Sequence, residues 1–221
     1  MKTIGFIHTA LILVEVIKKE LSAFSLEVNA FHIVDESLLF NLMKVGGLNP
    51  MIIRRLCQHV VSAEEAGAEL IAVTCSSISP AVDVARRLVS RPVLKIDEPM
   101  AEAAVKRGER IGIVATVATT LDPTSNLLRN KAVELGKSIS LSTLLCQEAF
   151  HAILQGDTER HDRIVIEKAV ELAKGVDLLV LAQGSMARLT KPLSQQISIP
   201  VLSSPNLFVE KLKSMLQVPG G

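Results

Sequence analysis

The segment GVDLLVLAQGS, residues 175–185, repeats the pattern of an earlier segment, GAELIAVTCSS at 67–77. Each begins with glycine, carries an acid at its third position, continues through five mostly aliphatic residues and ends in a polar turn. Cys75 and Gln183 occupy matching positions, at an offset of 108 (183 − 75). An apolar run that stops at a turn is typical of a buried parallel strand.

Two further pairs of segments extend this repeat in the same order along the chain. IGFIHT from Ile4 matches IGIVAT from Ile111 at an offset of 107 (111 − 4). Arg91-Pro92-Val93 matches Ile199-Pro200-Val201 at an offset of 108 (199 − 91). Several matches in one order at one spacing are hard to obtain from apolar composition alone, so we interpret the chain as a duplicated α/β unit.

Strand-like and helix-like segments alternate along the chain. Short apolar runs predict eight strands: IGFIH, VNAFHIV, LIAVT, VLKI, IGIVAT, LSTLL, LLVLA and IPVLSS. Helical spacing occurs between them, for example at 50–66, 81–89 and 158–174, and again at 207–216. The alternation predicts an α/β fold of two pseudo-symmetric, doubly wound parallel-sheet lobes, with the active site in a cleft between them.

The first lobe is predicted to comprise 1–97 plus 207–221, and the second lobe 98–206. The join is placed near Asp97-Glu98-Pro99, because Pro99 suits the first turn of a helix. The helix at 207–216 is expected to pack back on the first lobe. VPGG at 218–221 is expected to be a frayed tail.

Composition argues against several classes of protein. The 221 residues include 24 Lys or Arg and 23 Asp or Glu, which gives a formal net charge of +1. This balance gives no reason to expect a nucleic-acid or membrane partner, and no apolar run approaches the ~20 residues of a transmembrane helix. Cys57, Cys75 and Cys146 are widely spaced, which indicates a reducing cytoplasm and neither a disulfide framework nor a zinc site.

Polar residues follow the predicted strands at four places. Ligands of parallel sheets bind beyond the carboxyl ends of the strands, so these residues are candidates for a binding site. Hydroxyl groups at helix N-termini favour an anion such as a small carboxylate, although helix capping alone explains any single Ser or Thr. The candidate substrate-binding residues are His8, Thr9, Thr74, Ser76, Ser77, Thr116, Thr119, Thr120, Gly184 and Ser185.

Cys75 differs from the other two cysteines because it follows a predicted strand and precedes Ser76-Ser77. A thiol at a helix N-terminus is expected to have a lowered pKa and to favour the thiolate, so Cys75 is a candidate catalytic acid or base. Cys57 and Cys146 are expected to be core residues.

Other motifs give weaker evidence for a functional site. Asp35, in VDESLL at 34–39, is expected to cap a helix rather than to line the cleft. The sequence contains no recognisable Ser-His-Asp triad, nucleotide-binding loop or metal-ligand cluster, so no metal and no cofactor is expected.

Five segments together resemble the aspartate/glutamate/hydantoin racemase family, most closely its hydantoin-racemase-like branch. They are IGFIHT, IVDESLL, TCSS, the IDEPM junction and IGIVATVATTLDPT. The resemblance implies two α/β lobes with a small carboxylate-bearing substrate between them, cofactor-independent chemistry and a homo-oligomer. It also implies one cysteine per lobe, with one thiolate removing a proton from the substrate carbon and the opposite thiol returning one. The family's first cysteine falls on Cys75, whereas Gln183 stands where a pattern like LGCAGMA places the second.

This replacement leaves three hypotheses, because a glutamine amide does not titrate near neutral pH but can donate two hydrogen bonds. The first, favoured by the overall match, is a racemase or isomerase acting next to a carboxylate or carbonyl of a small amino-acid-like substrate. It would use Cys75 and a replacement base such as His8 or water. The second is a decarboxylase or other lyase, like the family's arylmalonate-decarboxylase-like members, in which Cys75 protonates an enediolate and Gln183 stabilises charge. The third is a non-catalytic carboxylate-binding relative.

Overall fold

Two parallel β-sheets with flanking helices form the protein, as seen in a computed structural model that describes residues 1–217. The predicted tail at 218–221 lies outside the described residues. The strands are β1 Thr3–His8, β2 Asn29–Val34, β3 Leu70–Val73, β4 Val93–Lys95, β5 Arg110–Ala115, β6 Ser140–Leu145, β7 Leu178–Leu181 and β8 Val201–Ser203. The first sheet has the order β2-β1-β3-β4 and the second the order β6-β5-β7-β8. The α/β fold class is confirmed, and the shared strand order agrees with the internal repeat.

Ten α-helices connect or follow these strands within the described residues. They are α1 Ile12–Ala23, α2 Glu36–Val45, α3 Pro50–Glu65, α4 Ser79–Ala85, α5 Glu98–Arg107, α6 Ala118–Glu134, α7 Gln147–Leu154, α8 Thr158–Ala173, α9 Thr190–Ser194 and α10 Ser204–Gln217. Short 3-10 helices cover Ser76–Ile78, Arg86–Leu88 and Gly184–Leu189. No helix among residues 1–217 is long and apolar enough to cross a membrane.

The chain divides into two compact units. One contains Met1–Glu98 together with the segment from Pro205 onward, and the other contains Pro99–Ser204. We call them the first and the second unit.

The first unit buries both faces of its sheet, because its strands carry apolar residues on both sides. On one face α3 and α4 pack through residues such as Leu56 and Val82 against β1 and β3. On the other face α1 and α10 pack through Ile17 and Phe208 against Phe6. The core of the second unit includes β5, β7 and α8. Its sheet has the same strand order as that of the first unit.

Candidate active site

The candidate site residues fall into two sets, one in each unit, at the carboxyl ends of the central strands. β1 and β3 are central in the first sheet, and β5 and β7 are central in the second. The first set consists of His8, Thr9, Thr74, Cys75, Ser76 and Ser77. The second set consists of Thr116, Thr119, Thr120, Gln183, Gly184 and Ser185.

Cys75 follows Thr74 after the end of β3 and is the N-cap residue of the 3-10 turn Ser76–Ile78. The residue is 8% exposed. The Thr9 hydroxyl and the backbone N–H groups of Ser77 and Ile78 are placed to hydrogen-bond the sulfur. The thiol is therefore surrounded by hydrogen-bond donors at the end of the central strands.

The expectation that Cys75 has a lowered pKa was wrong. Burial raises the pKa of the Cys75 thiol above its ordinary value, the hydrogen bonds lower it in part, and the Asp97 carboxyl group raises it. The helix N-terminus after the cysteine was predictable from the sequence, but the burial that outweighs its effect on the thiol was not. Burial disfavours the charged thiolate, so Cys75 rests as a thiol.

His8 forms a hydrogen-bonded ladder with two neighbours at the end of β1. Its Nδ1 lies 2.8 Å from Thr74 Oγ1, and its Nε2 lies 2.8 Å from His32 Nδ1. Thr74 Oγ1 donates to the Ile7 carbonyl at 3.2 Å, so it accepts from His8 Nδ1–H. His8 Nε2 then accepts from His32 Nδ1–H. Burial, followed by the effect of His32, lowers the pKa of His8 to about 4. Both ring nitrogens of this neutral histidine are engaged within the first unit.

Asp35 begins α2 and accepts hydrogen bonds from the Ser37 backbone N–H at 3.2 Å and its hydroxyl at 2.7 Å. The expected capping role is therefore confirmed. Its other oxygen lies 2.7 Å from both Arg55 Nε and His59 Nε2. Burial opposes ionisation of Asp35, but these partners outweigh it and hold its pKa below the usual value. The cluster fastens α2 to α3.

Gln183 is held by one end of its amide. Its side-chain oxygen accepts from the Thr116 backbone N–H at 2.6 Å and from the Thr116 hydroxyl at 3.0 Å. A backbone N–H can only donate, so the carbonyl oxygen must face Thr116 and the NH₂ group points the other way. The part of Gln183 that can meet a ligand is therefore a pair of N–H donors.

The loop after Gln183 is anchored from α8. Arg188 donates through Nε and Nη2 to the two carboxylate oxygens of Asp162, and its Nη1 donates to the Ser185 carbonyl. A two-point guanidinium–carboxylate contact has a defined geometry. This contact fixes the 3-10 segment Gly184–Leu189 beside Gln183.

Thr119 and Thr120 lie in the first turn of α6, and the Thr120 backbone N–H donates to the Val117 carbonyl at 3.1 Å. The Thr119 hydroxyl is buried without a hydrogen-bond partner among the described residues. This hydroxyl is the donor that the turn offers to an anion. No group of three or more His, Cys, Asp or Glu side chains within residues 1–217 is placed to hold a metal ion.

The two sets differ in chemistry at equivalent positions. Ile7 pairs with Val73 in the first sheet as Val114 pairs with Leu181 in the second. The next residue of each strand therefore matches His8 with Ala115, Thr74 with Ala182 and Cys75 with Gln183. On the outer strands, the registers match His32 with Thr143 and Asp35 with Cys146. At these positions the first unit carries the titratable side chains of His8, Cys75, His32 and Asp35. In the second unit the one titratable side chain at these positions is that of Cys146, which is fully buried.

Three residues around the first set were not among the predicted site residues. They are His32, Ser79 and Asp97, of which Asp97 was predicted only to mark the join between the lobes. Asp97 follows the buried strand β4, and this position at a strand's carboxyl end was a usable signal. His32 and Ser79 gave no such signal, because their roles depend on which neighbours the fold brings to them.

Comparison with known proteins places these features in a family. The sequence profile of the Asp/Glu/hydantoin racemases matches residues 49–212. A glutamate racemase of Picosynechococcus sp. is 30% identical over 141 residues, which is 61% of this chain and 49% of that protein. A glutamate racemase of Rippkaea orientalis is 26% identical over 178 residues, or 76% of this chain and 61% of that protein. The chain thus spans about half to two thirds of the length of the curated relatives it matches.

Solved structures share the fold. Allantoin racemase from Klebsiella pneumoniae has a TM-score of 0.72 at 19% identity, covering 98% of this chain and 88% of that chain. Glutamate racemase isoform RacE1 from Bacillus anthracis has a TM-score of 0.73 at 19% identity, covering 98% and 82%. Since the family profile covers most of the sequence and the fold agrees, the chain belongs to the Asp/Glu/hydantoin racemase family.

Proposed function

We propose that the protein is a cofactor-independent enzyme in which the Cys75 thiol delivers a proton to one face of a carbanion next to a carboxylate or carbonyl. The observation that carries this proposal is that Cys75 in the first unit and Gln183 in the second occupy equivalent positions of the repeat. The thiol can donate and accept a proton, whereas the amide of Gln183 can do neither near neutral pH. The named relatives are racemases of glutamate, which bears carboxylates, and of allantoin, which bears carbonyl groups, so a small substrate with a carboxylate or carbonyl next to the reacting carbon is in keeping with both.

Racemisation needs an acid or base on each face of the reacting carbon. Gln183 cannot fill that role, and His8 has both ring nitrogens engaged by Thr74 and His32. Water is then the remaining partner for Cys75. These contacts favour one-sided proton transfer over symmetric exchange.

Because Cys75 rests as a thiol, it is not ready to remove a proton from the substrate. This favours a reaction in which the substrate carbanion forms without a base. In the decarboxylation of a substituted malonate, the bond between the central carbon and one carboxylate breaks and carbon dioxide leaves. The bonding electrons stay on the substrate as an enediolate. The S–H bond of Cys75 then breaks as a C–H bond forms, and the thiolate regains its proton from water. The N–H donors of Gln183 and the Thr119 hydroxyl suit the negative charge of the substrate and of this intermediate.

Isomerisation with water as the second acid or base is the other candidate, and family membership supports it. It requires Cys75 to act first as a thiolate base, which its raised pKa disfavours. We also propose, from the resemblance alone, that the protein is a homo-oligomer in the cytoplasm.

A substrate panel in deuterium oxide separates these reactions. Amino acids, hydantoins and substituted malonates are incubated with the wild type, and carbon dioxide release and deuterium incorporation are followed. Carbon dioxide release from a malonate supports decarboxylation, and exchange with inversion in an amino acid or hydantoin supports isomerisation. No turnover of any member, by protein shown to be folded, would count against catalysis and favour a carboxylate-binding role.

The active substrate then tests Cys75. Cys75→Ala is expected to lose about 10²-fold or more of the rate, because the proton donor is gone. Cys57→Ala is the matched control, since Cys57 is also a buried cysteine of the first unit and should retain near-wild-type turnover. A fully active Cys75→Ala protein would refute the assignment.

A further inference from the structure

A buried carboxyl group lies beside the loop that carries Cys75. Asp97 follows β4 in the first unit and is fully buried. Burying a carboxylate is costly unless hydrogen bonds or a counter-charge compensate it, so its partners indicate what it does there.

The partners of Asp97 come from the Cys75 loop. The Ser79 hydroxyl lies 2.9 Å from Asp97 Oδ1 and 3.1 Å from Oδ2. The side chain of Ser76, the residue after the cysteine, also hydrogen-bonds Asp97. Ser79 Oγ is in addition 3.5 Å from the Cys75 carbonyl oxygen. Asp97 therefore holds both ends of the turn that begins at Cys75.

Burial raises the pKa of Asp97 itself, and its hydrogen bonds with Ser79 and Ser76 and the charge of Lys95 lower it only in part. A carboxyl group ionises before a buried thiol, so Asp97 carries the charge that opposes the thiolate at the pH where Cys75 ionises. Lys95 on β4 attracts Asp97, but its ammonium group already lies 2.8 Å from Asp83 on α4. His8 on β1 is neutral at the pH values where a thiol ionises. The pKa of Cys75 is raised by burial and by Asp97 in the same direction.

The matching positions of the internal repeat carry none of these polar side chains. The offset of 108 matches Ser76 with Gly184, Ser79 with Ala187 and Asp97 with Pro205 (97 + 108). None of these three residues offers a polar side chain. The polar set therefore accompanies the cysteine and is absent where glutamine replaces it.

We propose that Asp97 is a positioning residue for Cys75: through Ser76 and Ser79 it fixes the loop, and its ionised carboxylate opposes loss of the thiol proton. This inference rests on the proposed role of Cys75 and adds how the thiol is kept ready to donate. Asp97 acts through the cysteine and needs no contact with substrate.

The test is a pH titration of the Cys75 thiol in the full-length protein. Thiolates absorb in the ultraviolet, and a chain with no Trp and no Tyr gives little aromatic background. Subtracting the titration of Cys75→Ala isolates the signal of Cys75 from those of Cys57 and Cys146. The Asp97→Asn variant keeps the shape and hydrogen-bonding capacity of the side chain but removes its charge. Its Cys75 titration midpoint is expected to shift to lower pH.

Glu64→Gln is the matched control, since Glu64 is a carboxylate of the same unit whose hydrogen bonds go to Ser90 and the Arg91 backbone N–H and not to the Cys75 loop. Its midpoint should equal that of the wild type. If Asp97→Asn does not fold, Asp97→Ser removes the charge while keeping a hydroxyl for Ser79, and it must show the same shift.

An unchanged midpoint in a folded Asp97 variant would overturn the inference. The titration needs no substrate, so this failure is distinct from failure of the proposed function, which an active Cys75→Ala protein would reveal. A shifted midpoint with an active Cys75→Ala protein would keep the charge effect but remove its role in donating a proton to substrate.

Discussion

At the scale of single residues, the protonation state of Cys75 decides what the thiol can do. A thiolate removes protons, whereas a buried thiol held by donors and faced by Asp97 can deliver one. The position of Cys75 after a strand was predictable from the repeat and from the polar residues around it. Its protonation state was not, because burial and the approach of Asp97 from β4 arise only in the fold.

The ladder of His8, His32 and Thr74 predicts a pH dependence of stability. The pKa of His8 is about 4 in the fold against 6.5 in its unperturbed state, so the unfolded chain binds more protons between these values. Stability from this group is complete above pH 6.5 and is lost as the pH falls towards 4. We expect a loss of about 3 kcal/mol over this window, measured by urea unfolding as a function of pH.

His8→Asn should flatten that pH dependence, because the titrating ring is gone. His151→Asn is the control, since His151 is an exposed residue of α7 in the second unit and takes no part in the ladder. A wild-type stability that does not change between pH 6.5 and 4 would show that the ring is not held neutral by the fold.

At the scale of elements, the eight predicted strands all form, with ends that differ by one or two residues. Periodicity and the repeat carry that information, because buried parallel strands need continuous apolar runs. The helix at 81–89 is less regular than predicted. Its segment begins with the 3-10 turn at Ser76–Ile78, continues as α4 and ends in a second 3-10 turn at Arg86–Leu88. Such local tightening has no clear sequence signature.

Gly5 on β1 shows how closely an element can approach a central strand. A Cβ atom at this position would lie 2.9 Å from Phe31 Cζ and 3.2 Å from the Cβ atoms of Ala63 and Ala68. Gly5→Ala is therefore expected to destabilise the protein by about 1–3 kcal/mol, because α3 must move away from the strand. Gly47→Ala is the control, since nothing lies within 4 Å of a Cβ there. Equal stabilities of the two variants by denaturant unfolding would contradict this packing.

At the scale of the whole molecule, the chain builds two units and returns at α10 to complete the first. Phe208, Val209 and Leu212 of α10 are fully buried in a cluster with Ile4 and Phe6 of β1. The repeat predicted a helix at this place and its return to the first lobe. The cleft between the lobes remains a prediction.

Phe208→Ala tests the contribution of α10 to the first unit. We expect a destabilisation of about 3–5 kcal/mol, because a large cavity replaces the buried ring. Hydrogen exchange should show lost protection in β1 and β3 under conditions where β5 and β7 stay protected. Val133→Ala is the control, since Val133 is 81% exposed. A uniform loss of protection in all four strands would contradict the division into units.

The most direct test of one-sided protonation by Cys75 is the configuration of the product formed in deuterium oxide. The wild type acts on the substrate that the panel identifies, and the two deuterated enantiomers are separated and quantified before the product can exchange without enzyme. One donor on one face predicts deuterium at the reacting carbon in a single configuration. Equal amounts of both enantiomers, formed at the catalysed rate, would contradict the account.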